Sequence, residues 1–512
     1  MNSTTSRTSR RRFVSGAAAS LALLAARGAA GQNSLPAEGI PFSPQDVIEA
    51  AATLARSEYQ PPAPMPAELS RIDQQTYRAI HFRKSEAIWS ASTTRFSVEL
   101  FAPGYIYTQG VDIHLVQDGM ARRVAATPQT FETTNADVAR LLETIGRFAG
   151  FRIHYPINSD DYADEFLVFR GASYFRGVSK HQRYGLSARG LAIDVAEPRG
   201  EEFPAFRSFW IERPQKGASH IVVHALLDSP GVTGAYLFTV RPGEPTTMDV
   251  EATLFPRRPL DHVGIGTLSS MFMHGPMDMN GRADWRPEVH DSLGLAMHTG
   301  WGERIWRPLS NPRVLQISGF VDESPKGFGL IQRERRFDAF QDLGARFDLR
   351  PSAWIRPLGD WGKGHVVLVE IPSESEANDN IIAYWRPAET MKPGNTYAIG
   401  WQISFDAAPP TAGIAPVIRS SQGLAFESSD RVVVIDYAPM QGVDPASVTL
   451  NVQCEPGRLV SATVETNDMT GGLRAAVRFD PANQPMSEIR VEPKRDDRPV
   501  GETFLYRWTA GG

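Results

Sequence analysis

The chain reads as an all-β protein: a large N-terminal antiparallel β-sandwich and a C-terminal immunoglobulin-like β-sandwich. Three observations predict this. Apolar and polar residues alternate with period two through runs such as 96–102, 111–116, 220–228 and 235–240, the pattern of strands with one buried face. Turn formers are abundant, with 43 Gly and 38 Pro, whereas helical periodicity is rare. Towards the C-terminus, short strand-like runs at 431–437, 447–452, 473–479 and 487–492 recur at regular spacing, as in an immunoglobulin-like sandwich.

In chain order, residues 1–31 read as a twin-arginine export signal. Ser9-Arg10-Arg11-Arg12-Phe13-Val14 precedes a short Ala/Leu-rich stretch through Ala26 and small residues at Ala29, Ala30 and Gly31. That stretch is too short to span a bilayer, so the expected destination is the periplasm. Ser43 as cap and Pro44 at the first position predict a helix from there to Arg56. Val138, Leu141, Leu142, Ile145 and Phe148 share one helical face and predict a second helix over 136–148. Residues 32–406 are assigned to the large sandwich, the Pro/Ala-rich stretch 407–416 to a linker, and 417–512 to the immunoglobulin-like domain.

Charge and cysteine usage narrow the partners. The net charge is −5, and the first 31 residues hold five arginines and no acid, so the remainder carries about −10. No basic stripe is present for nucleic acid or anionic lipid, and a neutral ligand fits best. Cys454 is the single cysteine, so no intramolecular disulfide can form and stability must come from the core. A metal reading for His274, Asp284, His290, Asp291 and His298 lacks any His-x-x-x-His or Cys-x-x-Cys pair among them. His220 and His224 have that spacing, but on a strand it spans roughly 13 Å, too far for one ion. There is no Gly-x-Ser-x-Gly elbow and no phosphate-cradling loop, and no cofactor is implied.

Chemistry concentrates between 284 and 385. Five of the ten tryptophans fall within 285–361, interleaved with arginines and carboxylates. Trp285, Arg286, Arg304, Trp306, Gln332, Arg333, Arg350, Trp354, Tyr384 and Trp385 are the candidates for a substrate cleft wall. For any one of them a structural place in the core or in an ion pair is the commoner outcome. Val366–Val369 and Ile381–Ala383 read as buried strands, and the connection between them carries Glu374, Glu376 and Asp379. Crowded carboxylates beside aromatic faces suit a neutral sugar polymer, which offers ring faces to stack and a glycosidic oxygen that must be protonated before it leaves.

The stretches 184–193 (Tyr-Gly-Leu-Ser-Ala-Arg-Gly-Leu-Ala-Ile), 200–204, 285–291 (Trp-Arg-Pro-Glu-Val-His-Asp), 327–333, 350–354 and 376–385 (Glu-Ala-Asn-Asp-Asn-Ile-Ile-Ala-Tyr-Trp) together resemble the osmoregulated periplasmic glucan biosynthesis proteins of the G/D type. The export signal is similar to that of the D branch. The resemblance implies a cleft-bearing sandwich joined to an immunoglobulin-like domain, and a role in making β-1,2-linked glucans. It further implies an endo-β-1,2-glucanase acting with inversion, with Asp379 as general acid, Glu376 as a second acidic position and Asp291 on the base side. A transglycosylase using the same acid, or a non-catalytic glucan-binding scaffold beside a membrane glucan synthase, remains open, as does a homodimer.

Overall fold

The computed structural model describes residues 39–510 apart from 91, 144–145, 280–282, 408–412 and 441. The export signal therefore lies outside the described residues, as does half of the expected linker. Strand dominates, and the all-β expectation holds. Among the described residues one antiparallel-rich sheet has sixteen strands, a second has ten, and a third has four.

The sixteen- and ten-stranded sheets face each other across an aromatic core. Phe151, Phe169 and Phe175 from the ten-stranded sheet meet Phe206, Phe209 and Phe238 from the other, with Phe169 and Phe238 centroids 5.1 Å apart. Edge-to-face contacts predominate, the arrangement favoured by ring quadrupoles. The helix Pro44–Ala55 starts at Ser43, with a reciprocal Ser43–Asp46 capping box, and lays Val47 and Ala51 against Trp210, Leu226 and Ala235. The second helix is shorter than its apolar pattern predicts. It covers Ala136–Glu143, and Phe148 is instead bridged to Val111 through both backbone amides. Gly146 is a poor helix former, and the strand Gly150–Ser159 requires the chain to be extended by then.

At the C-terminus, strands Val417–Leu424, Arg431–Tyr437, Arg458–Asn467 and Gly472–Asp480 form the four-stranded sheet. It packs on Thr449–Glu455, Met486–Arg495 and Thr503–Thr509, burying Val433, Ile435, Val477 and Phe479 against Ile489, Val491, Phe504 and Trp508. This second layer is not a separate sheet. Thr503–Thr509 pairs in parallel with Arg304–Pro308, so the large sheet runs on into the C-terminal sandwich. The end of the expected linker is already part of that sandwich, since Ala415 exchanges backbone hydrogen bonds with Val500 and Glu502.

A buried polar lock closes the seam. The Arg333 guanidinium lies 3.6 Å over the Trp306 ring and donates to both Glu502 oxygens at 2.7 and 2.8 Å, while Glu502 also accepts from the Val417 amide at 2.8 Å. Gly294 makes room for Trp306, because a Cβ there would stand 2.3 Å from the indole. Removing one partner of such a pair strands a buried charge, at a cost of about 3–5 kcal/mol. Glu502→Ala is therefore expected to lower stability by that order. Calorimetry should show both sandwiches melting in one transition, because sheet and core are shared; two separated transitions would contradict this.

Candidate active site

Two carboxylates are brought to one place by a single stretch of backbone. Beyond the strand Val263–Ser270 the chain leaves the ten-stranded sheet. There Phe272 donates its amide to Asn380 Oδ1 at 2.9 Å, and its carbonyl accepts from Asn380 Nδ2 at 2.9 Å. Asn380 is buried and immediately follows Asp379. One residue earlier, the Met271 carbonyl accepts the Asp291 amide at 2.9 Å. The connection carrying Asp379 joins Lys363–Glu370 to Ile381–Pro387. At its start, Glu370 accepts from the Ser310 amide and hydroxyl, and the Ser373 amide donates to Asn311 Oδ1 at 2.9 Å.

The environments of the two aspartates differ. Asp379 is partly exposed; its Oδ2 accepts from the Ser187 hydroxyl at 3.1 Å and lies 3.9 Å from the Arg176 guanidinium. Asp291 is buried, with the Arg350 Nε 3.5 Å from its Oδ1, too far for a good hydrogen bond. Burial pushes the Asp291 carboxyl up to about 6; Arg350 opposes that shift and the Asp379 charge adds to it. Arg350 is itself held by the Tyr184 carbonyl and lies over the Phe347 ring.

Around this pair, the outer face of the ten-stranded sheet presents a polar row. Glu99 is paired across strands with Arg152, Arg152 with Val168 and Val168 with Arg176. Ser187 continues towards Ser269 and Ile382. On the same face Arg189 donates to Ser269 and Glu201 and lies 4.7 Å over the Tyr174 ring. Donors, acceptors and an aromatic ring thus share one surface with Asp379.

The remaining predicted residues divide. Glu376, about half exposed, pairs with Arg286 at 2.8 Å, and Arg286 also grips Asp284 and Asp342. Its hydrogen bonds pull the Asp284 carboxyl down to about 2. Trp285, next door, is exposed. Gln332 is buried and donates towards His290, whose other nitrogen meets Glu288 at 3.0 Å. The structure does not bring the others to this place. Trp306, Arg333 and Trp354 lie in the seam with the C-terminal sandwich. Arg304 begins the strand Arg304–Pro308 on that side. Trp385 sits fully in the core against Trp361, because strand alternation turns Ile381, Ala383 and Trp385 inward; Tyr384, on the opposite face, is covered by the segment containing Ala192 and Val195. Ser187, Arg176, Arg189 and Tyr174 were not among the predicted residues, although the 184–193 motif contains Ser187 and Arg189. Among the described residues no cluster of three His, Cys, Asp or Glu side chains could hold a metal ion.

Comparison with known proteins agrees with the resemblance. The family model described as "Periplasmic glucan biosynthesis protein, MdoG" matches residues 42–508. The chain belongs to this family. It is 47% identical over 471 residues to glucans biosynthesis protein G 2 of Shewanella oneidensis, covering 92% of this chain and 89% of that one. To glucans biosynthesis protein G of Vibrio cholerae it is 44% identical over 476 residues, 91% and 87% of the two chains. The corresponding protein of Rhodopseudomonas palustris is 43% identical over 478 residues, 93% and 95%. These relatives carry G-type names, whereas the expected D-branch likeness rested on residues 9–14, outside the described residues. No described helix is long and apolar enough to cross a membrane.

The buried aspartate has a stability consequence. Its folded pKa lies above the unfolded value near 3.9, so the folded state gains stability as pH falls from 7 towards 5, where Asp291 takes up a proton that the unfolded chain binds only at lower pH. Asp291→Asn removes the ionisation and is expected to stabilise the protein at pH 7 by about 1–3 kcal/mol. Denaturant titrations at pH 7 and pH 5 check this: the gain should shrink at pH 5, and a variant less stable at both would refute it.

Proposed function

We propose that the chain is a periplasmic enzyme that cleaves or remodels β-1,2-glucan, an endo-β-1,2-glucanase acting with inversion. Asp379 serves as general acid and Asp291 as general base. The observation that carries this reading is the anchoring of two differently placed aspartates on consecutive residues, Met271 and Phe272.

Inversion needs one carboxyl to protonate the leaving oxygen while a second activates water from the opposite side of the sugar ring. Asp379 stands at the open side, beside the polar row on which a glucan chain can lie, with Ser187 orienting its carboxyl. Asp291 is withdrawn from solvent, and a carboxylate whose conjugate acid titrates near 6 is a stronger base than a surface aspartate yet is still ionised at neutral pH. Its recessed position suits proton acceptance from water, directly or through further waters. Glu376 is engaged by Arg286 and is assigned to holding the loop rather than to proton transfer. Export by residues 1–31 would deliver the folded enzyme to the compartment named by its family.

The purified protein and its Asp379→Asn variant, incubated with linear β-1,2-glucan, test the reading. Mass spectrometry should show shorter linear products from the unmodified protein, and turnover should fall by about 10²–10⁴ in the variant. Products lacking one water, or longer than the donor, would assign transfer instead, and retained turnover would remove Asp379 as the acid. With Asp291 as base, kcat/KM should rise with pH through about 6 as the carboxyl ionises. A fall through the same range would give Asp291 the acid's role.

A further inference from the structure

The Gly300-Trp301-Gly302 motif has no part in the site around Asp379. Asp291 precedes the strand Gly294–His298 and Trp301 follows it, so the strand's rise of roughly 13 Å lies between the two places. Trp301 is 70% exposed, yet its turn is rigidly made. The Asp322 carboxylate accepts from the Gly300 amide at 3.0 Å, Thr299 Oγ1 accepts from the Glu303 amide at 3.0 Å, and the Gly302 amide donates to the Thr299 carbonyl at 3.0 Å. Gly302 adopts φ +93°, a conformation that glycine takes without strain. A large ring held in water by a well-fastened turn is available to stack on a ligand.

Two cavities adjoin this ring, of about 190 and 560 Å³, and share His298, Trp301, Glu303 and Arg490. The larger falls within the usual range of ligand clefts, roughly 300–1,000 Å³. It lies at the seam of the two sandwiches, where Glu303 accepts from Thr503 Oγ1 at 2.7 Å and pairs with Arg490, so its walls are fixed by both halves. Arg304, Lys494 and Glu492 complete a lining of donors and acceptors. Burial, with the charges of Arg304 and Lys326, holds the His298 imidazole down at about 4, leaving it neutral and able both to donate and to accept at physiological pH. The charges in the lining are mixed in sign, with Glu492 paired to both Arg490 and Lys494. Arg304, Arg490 and Lys494 against Glu303 and Glu492 leave a single positive charge over, too little to select a strongly anionic ligand. A flat apolar face beside neutral and mutually compensated hydrogen-bonding groups suits a sugar ring.

We propose that the groove around Trp301 is a second, non-catalytic binding site for the glucan chain, built jointly by the two sandwiches. The inference rests on glucan as the ligand of this protein, and not on which aspartate is acid or base. A polymer engaged at both places is held at high effective concentration at each, so the second site strengthens binding of long chains without new contacts at the first.

The test is calorimetric titration of the full chain carrying Asp379→Asn, which removes turnover, with long linear β-1,2-glucan and with a short oligosaccharide of the same linkage. Adding Trp301→Ala should raise the dissociation constant for the long chain at least fivefold, with a smaller change for the short one, and Trp301→Phe should recover part of the loss. Equal affinity for the long chain with and without Trp301 would overturn the proposal. So would equal losses for both lengths, which would place Trp301 in a single continuous site. Absence of any glucan binding would overturn it together with glucan as ligand. Turnover that survives Asp379→Asn, measured separately, would overturn only the catalytic assignment.

Discussion

The paired hydrogen bonds between the Asn380 side chain and the Phe272 backbone are the constraint on which the site depends. They tie the connection carrying Asp379 to the stretch that leaves the ten-stranded sheet, and the preceding carbonyl, Met271, fixes Asp291. Both carboxylates thus take their positions from two adjacent peptide units rather than from two independent loops. An amide that donates to and accepts from one residue leaves little freedom in rotation or register, as the proposed proton donor and acceptor would require. The same connection is fastened at its other end by Glu370 and Asn311, so only its middle, around Glu376, is left to solvent.

The fold class was legible because period-two alternation depends only on one face being buried, and this holds whatever the strand's partner. For the same reason the partners were not legible. Thr503–Thr509 alternates as any strand would, and nothing in its residues announces parallel pairing with Arg304–Pro308, about two hundred positions away. The apparent linker therefore marked a real change of composition without marking a break between sheets. The helix at 136 overran in the reading because Phe148 fits its apolar face, whereas in the fold Val111 competes successfully for that backbone.

At the site, the carboxylate cluster was visible as a local run, and Asp291 was reached through resemblance to a family rather than through spacing. Ser187 and Arg176 could not be singled out, being ordinary outward positions on short strands whose importance comes from register. The tryptophans show the converse. Residue type marked Trp306, Trp354 and Trp385 as stacking platforms, but burial decides, and all three are enclosed. In the seam, Trp306 serves as the platform for Arg333 and so helps to make one body of two sandwiches.

The arrangement of charge sets the three acids apart. Three carboxylates from the predicted motifs lie in this region, and like charges crowded together would otherwise raise one another's pKa without distinction. Arg286 takes Glu376 into an ion pair shared with Asp284 and Asp342. Arg176 and Ser187 face Asp379 at the open side. Asp291 is buried, which raises its pKa, and the Arg350 guanidinium, 3.5 Å from its Oδ1, offsets that shift only in part. The fold thus leaves one carboxylate poorly solvated, Asp291, the group that the proposed assignment makes the base, while Arg286 pairs with Glu376 and Arg176 stands 3.9 Å from Asp379. That asymmetry follows from which residues are buried and which guanidinium reaches which oxygen, and it would vanish if Arg350 moved close enough to bind Asp291 as tightly as Arg286 binds Asp284.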